Sequence, residues 1–149
     1  WAEKGVLMQK RLLELVDEDT DAYNGILKAF EMPKRSDEEK AARAAAVEAA
    51  TLQASLVPLT VMKEAFRVFE LLKEMTEQGN PNSVTDGAVG VLAVRACIRG
   101  AFLNVRINVT GLKDKTKAEE LTAEAKKIDD AAAAIESEIV NHVITRLGM

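Results

Sequence analysis

Polar side chains on faces that ought to be apolar are where this sequence can do chemistry. Between Lys4 and Phe30, the residues Met8, Leu12, Val16, Tyr23, Ile26 and Phe30 recur at the period of one helix face, about 100° per residue. Asp19 falls near the centre of that stripe, while Asp17 and Asp21 project to the other side. A carboxylate taken out of water is strongly penalised unless it is paired or protonated, so Asp19 calls for a partner, a neutral form or a ligand. A carboxyl group whose neutral form is favoured can both give and take protons near neutral pH, which is the work of a general acid/base. A hydrogen bond to a neighbouring helix end or to a lysine would satisfy it equally.

A second line runs through Asp86, Gly90, Cys97, Ala101, Asn104 and Asn108 at helical spacing. Small side chains let something approach the helix backbone, and the amides offer it hydrogen bonds, which suits either a ligand or a tightly packed helix. Cys97 has no histidine nearby in sequence and reads as a small buried side chain rather than a nucleophile. His142, the single histidine, falls on an apolar seam and reads as a core or interface residue. One histidine and one cysteine cannot supply the three or four ligands of a zinc site, so no metal is expected. No phosphate-binding loop, dinucleotide-binding glycine fingerprint or nucleophile elbow is present.

These residues have to be positioned by helices. No stretch alternates with the period of a strand, and proline and glycine divide the chain into four segments of helical period. The first spans about Lys4 to Phe30 and stops at Met32-Pro33, because a residue before proline is pushed out of the α region. Ser36-Asp37-Glu38-Glu39 is a capping box that opens the second, which kinks or breaks near Pro58 and ends on Gly79 in a left-handed cap. Ser83-Val84-Thr85-Asp86 opens the third with capping-box spacing, and it runs to about Val109. The fourth spans about Lys117 to Leu147, with Leu121, Ala125, Ile128, Ala132, Ile135, Ile139, His142 and Arg146 as its seam. Four long helices with short connections imply an all-α, up-and-down bundle.

With 149 residues the chain is long enough for one core and too short for two, so residues 1–149 read as a single domain. Acids outnumber bases 24 to 20 and no basic block exists, which argues against nucleic acid. Uninterrupted apolar runs fall short of a membrane span, and a lone cysteine asks for no oxidising compartment, so a cytoplasmic setting is expected.

Three stretches in order carry a resemblance: Leu15-Val16-Asp17-Glu18-Asp19-Thr20-Asp21-Ala22-Tyr23; Met32-Pro33-Lys34 with Glu38-Glu39-Lys40; and Gly79-Asn80-Pro81-Asn82-Ser83-Val84-Thr85-Asp86 with Asn104-Val105-Arg106-Ile107-Asn108. Together they resemble the formiminotransferase-cyclodeaminase C-terminal family, closely from Leu12 to Asn108 and by pattern only in the last helix. The resemblance implies a dimeric helical bundle that binds a tetrahydrofolate derivative near the dimer contact. Its activity would be formiminotetrahydrofolate cyclodeaminase or methenyltetrahydrofolate cyclohydrolase, with no metal or redox cofactor beyond the folate substrate. Asp19 matches the second acid of the family's Asp-x-Asp motif and would be the acid/base. Tyr23, Asn80, Asn82, Asp86, Asn104 and Asn108 would contact the substrate, and Lys34 or Arg106 would meet its glutamate carboxylates. Members open with a Gly-rich turn and a small-residue helix, whereas this chain opens on Trp1. It is therefore expected to be N-terminally incomplete, with apolar surface left for a partner or a second copy. A non-catalytic folate-binding or assembly protein derived from the family is the alternative reading.

Overall fold

The computed structural model describes residues 1–148. Four α-helices follow one another: α1 (Ala2–Glu31), α2 (Asp37–Gln78), α3 (Val84–Val109) and α4 (Lys115–Arg146), with a 3-10 turn at Pro81–Ser83. Short connections return each helix along its predecessor. α2 packs against all three others and α3 against α4, whereas α1 packs on α2 alone among the described residues.

The main core lies between α2, α3 and α4. Met62 and Phe69 of α2, Val91, Ile98 and Val105 of α3, and Leu121, Ala125, Ala132 and Ile139 of α4 are among its buried members. Each large side chain of this kind contributes about 1.5–3 kcal/mol on leaving water. A smaller cluster, Leu15 and Ala22 against Ala54 and Val57, fixes α1 to α2. The α1 stripe read from the sequence is therefore turned by about one residue: Met8, Leu15, Ala22 and Ala29 are buried, while Val16, Tyr23 and Phe30 are exposed. A helix held by a single neighbour covers only a narrow face, and the rest of its apolar stripe stays open.

The capping box at Ser36 forms in full, with the Glu39 amide donating to Ser36 Oγ at 3.2 Å and the Ser36 amide donating to Glu39 Oε2 at 3.4 Å. The other boundaries differ from the sequence reading. Gly79 is extended, with φ −73° and ψ −176°; its small size matters because a Cβ there would lie 2.3 Å from the Met75 carbonyl oxygen. Ser83 makes no side-chain cap; instead Asn80 Oδ1 accepts from the Asn82 amide at 3.0 Å and starts the 3-10 turn. Asp114 caps α4 two residues earlier than expected, accepting from the Lys117 amide at 2.9 Å.

Several helix ends are held from across the bundle. Arg43 of α2 donates to the Phe30 carbonyl at 3.1 and 3.2 Å and lies over the Phe30 ring. Arg146 of α4 donates to the Thr76 carbonyl at 2.7 Å, near the end of α2. Both place a cation on the negative end of a helix dipole. Glu48 does the reverse: its carboxylate accepts from the amides of Lys113 and Asp114 at 2.9 and 3.1 Å, just before α4. Midway, Asp129 is only 4% exposed and is paired with Arg95 at 2.7 Å and with Arg99. Sequence periodicity hid this acid on the α4 seam, while His142, expected there, is exposed and Val143 takes the buried place.

Pro58 does not break α2, which runs unbroken through it. Proline has no N–H, so the Ala54 carbonyl loses its intrahelical donor. Asn108 of α3 replaces that donor, its Nδ2 giving a hydrogen bond of 2.7 Å to Ala54 O. Nearby hydroxyls are satisfied within the helix, Thr51 on Val47 O and Ser55 on Thr51 O. Toward the other end α2 and α3 draw close: a Cβ added at Gly87 would sit 2.6 Å from Thr76, and one at Gly90 2.8 Å from Leu72.

By length and composition α2 and the Pro81–Val109 segment could each cross a membrane, with mean hydropathies of 1.3 and 1.6 over their most apolar stretches, although the sequence shows no uninterrupted apolar run. Of these stretches, 39% of the α2 one and 28% of the α3 one are buried within the bundle. Val89, Leu92, Leu103 and Ile107 of α3 are exposed, as are Val6, Leu7 and Leu27 of α1.

Asn108→Ala should cost about 1–3 kcal/mol in urea unfolding, since it strands the Ala54 carbonyl. Adding Pro58→Ala supplies an N–H to that carbonyl, so the double mutant should show favourable coupling of about 1 kcal/mol; simple additivity would disprove the link. A second expectation concerns acid. The amides of Lys113 and Asp114 hold the Glu48 carboxyl below the ordinary carboxylate range. Its stabilisation is complete above that range and is lost as pH falls through the folded-state value. Glu48→Gln should therefore flatten the decline of Tm on acidification, measured by circular dichroism.

Candidate functional site: a cleft between α1, α2 and α3

Because α1 rests on α2 without closing on α3, a cleft of about 670 Å³ opens between them. Pro58, Val61, Val68 and Leu71 of α2 contribute one wall. α1 lines it from Gly5 to Thr20, and α3 adds Cys97, Ala101 and Asn104. The small side chains of Cys97 and Ala101 are what leave room on the α3 side. Most of the lining is apolar; Asp19 and Thr20 of α1 and Asn104 of α3 gather at one end, near the level of Pro58, and Gln9 is the polar residue toward the other.

Asp19 is exposed rather than buried. The burial expected from its stripe does not occur, because that side of α1 is uncovered. The α1 arginine, Arg11, pairs with Glu18 and Glu14 and leaves Asp19 without it. Thr20 directs its hydroxyl back to Val16 O at 3.1 Å. Cys97 is exposed on the cleft wall rather than buried as its sequence context suggested, because α1 does not close on α3 there. Partial desolvation by the wall still pushes its thiol up, so it is held in its less reactive form. Asp19 and Cys97 are the ionisable side chains of the lining, and no lysine or arginine is among them. Such a site offers a carboxyl group that can exchange protons, an amide that can orient a polar atom, and apolar walls for a flat ligand.

The sequence-derived candidates divide between this cleft and the rest of the molecule. Asp19 and Asn104 meet in it. Tyr23 stands one helical turn beyond Asp19 on the same side of α1, with its ring exposed. Lys34 lies in the connection from α1 to α2, away from the lining. Asn80, Asn82 and Asp86 sit at the start of α3, and Asp86 is about 27 Å along the helix from Asn104. Asn108 uses its Nδ2 on Ala54 O. Arg106 turns away from the cleft into a groove toward α4 with Lys115 and Lys126, its guanidinium 5.9 Å from the Phe102 ring.

The strip through α3 thus serves both purposes its composition allowed. Gly90 admits a helix, Asn108 ties one down, and Cys97 and Asn104 open onto the cleft beside the buried Ala101. Gln9, Thr20 and Pro58 also line the cleft and were missed in the sequence. For Pro58 the signal was present, since a proline inside an unbroken apolar helix frees a carbonyl and calls for a compensating donor.

Comparison with known proteins agrees with the motifs and the architecture. Over 145 residues the chain is 34% identical to a methenyltetrahydrofolate cyclohydrolase from Methylorubrum extorquens, covering 97% of this chain and 70% of that protein. It is 35% identical over 104 residues to the formimidoyltransferase-cyclodeaminase of Sus scrofa, covering 70% of this chain and 19% of that longer protein. The fold matches that of a formiminotetrahydrofolate cyclodeaminase from Thermotoga maritima with a TM-score of 0.74 at 20% identity, over 95% of this chain and 68% of the other. Residues 1–127 match the family described as formiminotransferase-cyclodeaminase, and the chain belongs to that family.

Proposed function

We propose that this chain is a folate-dependent one-carbon enzyme that hydrolyses a methenyltetrahydrofolate, with Asp19 as its acid/base. The observation that carries the reading is the convergence of Asp19 and Asn104, from two helices, on one end of an apolar cleft. The family and the length of the match to a cyclohydrolase support the choice of substrate. In this reaction water attacks the methenyl carbon. Asp19 takes a proton from that water and returns one to the nitrogen that leaves, while the Asn104 amide orients the water or a substrate nitrogen. The walls hold the flat ligand and exclude bulk water from the carboxyl group.

Cyclodeamination of a formimino substrate is the second reading, favoured by the cyclodeaminase relatives. There the anilino nitrogen attacks the formimino carbon and ammonia leaves, so the same carboxyl group removes one proton and delivers another. Tyr23, close to Asp19, would contact the substrate in either case. Asn80, Asn82, Asp86, Lys34 and Arg106 lie outside the cleft and would take part through a second copy or a distant part of the ligand.

A homodimer belongs to the same proposal. The apolar faces of α1 and α3 flank the cleft, and both carry large exposed apolar side chains, such as Leu7 and Leu13 on α1 and Leu103 and Ile107 on α3. A second copy covering Leu103 and Ile107, 57% and 65% exposed, would bury that surface without filling the cleft. The setting would be cytoplasmic, where the lone thiol stays reduced.

Turnover of methenyltetrahydrofolate, followed by loss of its ultraviolet absorption, should fall about 100-fold or more in Asp19→Asn, in keeping with loss of an acid/base group. Ammonia release from the formimino substrate tests the second reading. No turnover of either by the wild-type chain would leave a binding or assembly protein in place of an enzyme. For the dimer, Leu103→Glu with Ile107→Glu should halve the mass seen by light scattering while helicity is kept; an unchanged mass would exclude this face.

A further inference from the structure

We infer that the folate lies in one direction along the cleft, with its aminobenzoyl portion in the apolar half and its pterin outside that half, toward Tyr23. This inference rests on the folate reading above and adds the orientation of the ligand.

The cleft is chemically polarised. From Asp19 toward Gly5, about 21 Å along α1, its walls are Met8, Leu12 and Leu13 facing Val61, Val68 and Leu71, with Gln9 as the amide there. A reduced pterin carries several N–H donors, a carbonyl and an exocyclic amine. Each of these placed against such walls without a partner would lose its hydrogen bonds to water. An aminobenzoyl ring has an apolar body and gains from the same walls. On the other side of Asp19 the surface opens to solvent, and the exposed Tyr23 ring on the same side of α1 offers a face on which a bicyclic ring can stack.

The chemistry fixes the middle of the ligand. The reacting carbon bridges the pterin and anilino nitrogens, so with that carbon at Asp19 the two halves must extend in opposite directions. The absence of lysine and arginine from the lining fits the same direction. The glutamate carboxylates, which do not reach as far as the Gly5 end, leave through the open side of the trough, where Leu13 and Val16 are exposed, into water instead of being buried without counter-charges. Lys34, beyond the Tyr23 side of α1, is then on the pterin side and does not meet them.

The single cysteine reports on this directly. Cys97 lies in the wall of the apolar half, seven residues and about 10 Å along α3 from Asn104. The measurement is the rate of Cys97 alkylation by a small neutral maleimide on the whole chain at mildly alkaline pH, with 5-formyltetrahydrofolate, p-aminobenzoylglutamate or methyltetrahydropterin present. The complete folate and p-aminobenzoylglutamate, each at ten times its Kd, should slow labelling about tenfold, and the pterin fragment should not. Protection by the pterin fragment, alone or equally with the other, overturns the orientation but keeps the folate reading. No protection by any of the three, together with no turnover, removes the folate reading itself. Val68→Trp, which fills the trough, gives an independent readout by calorimetry. It should abolish p-aminobenzoylglutamate binding and leave methyltetrahydropterin binding unchanged, and the reverse result again overturns the orientation.

Discussion

The hydrogen bond from Asn108 to the Ala54 carbonyl sets the register on which the site depends. Pro58 leaves that carbonyl without its own helical donor, and a buried carbonyl without a donor is too unfavourable to leave open. The amide that replaces the missing N–H comes from α3, so this tie fixes how far along α2 that helix sits. One turn before Asn108 is Asn104, which is thereby brought to the level of Pro58 and faces Asp19 across the cleft. At the other end of the same helix pair, Gly87 and Gly90 bring α3 against Thr76 and Leu72. A contact too close for a side chain at one end and a specific hydrogen bond at the other leave little freedom to slide.

α1 is governed by a different balance. It is attached through Leu15 and Ala22 to α2 and has no second neighbour among the described residues, so a narrow face holds it and a broad one remains open. That openness is the cleft. It also leaves long apolar side chains of α1 and α3 in water, a configuration that favours association. The cavity and the sticky surfaces beside it therefore share one cause, the lack of direct packing between α1 and α3.

Charge is used at helix ends and on one buried seam rather than in the cleft. Arg43, Arg146 and Glu48 each reach from one helix to the unpaired backbone groups at the end of another, where the dipole matches their sign. Asp129 is taken out of water with arginines from α3 as its partners, so it specifies how α4 meets α3 as much as it stabilises the contact. The cleft keeps Asp19 apart from these networks. The acid/base role proposed for Asp19 requires this separation, because a carboxyl group tied to an arginine could not exchange its proton readily.

Local signals in the sequence were sufficient for the helices. The capping box at Ser36, the stop at Met32-Pro33 and the apolar period of each segment act between residues a few positions apart, and each was legible. The motif around Asp19 and the Asn104 line pointed to residues that do meet in space. The sequence could not say which side of α1 would be covered, because a wide apolar stripe is compatible with several rotations and only the presence of a single neighbour selects one. It could not separate Asn104 from Asn108, since both have the same type and share a helix face. Their different surroundings come from α2, where Pro58 requires a donor four residues away from open space. It placed Arg106 with the ligand, and the turn of α3 directs that side chain toward α4. Short-range propensity and capping thus decided the elements, while rotation and register of one helix against another, set by buried carbonyls and close glycine contacts, decided which residues form the site.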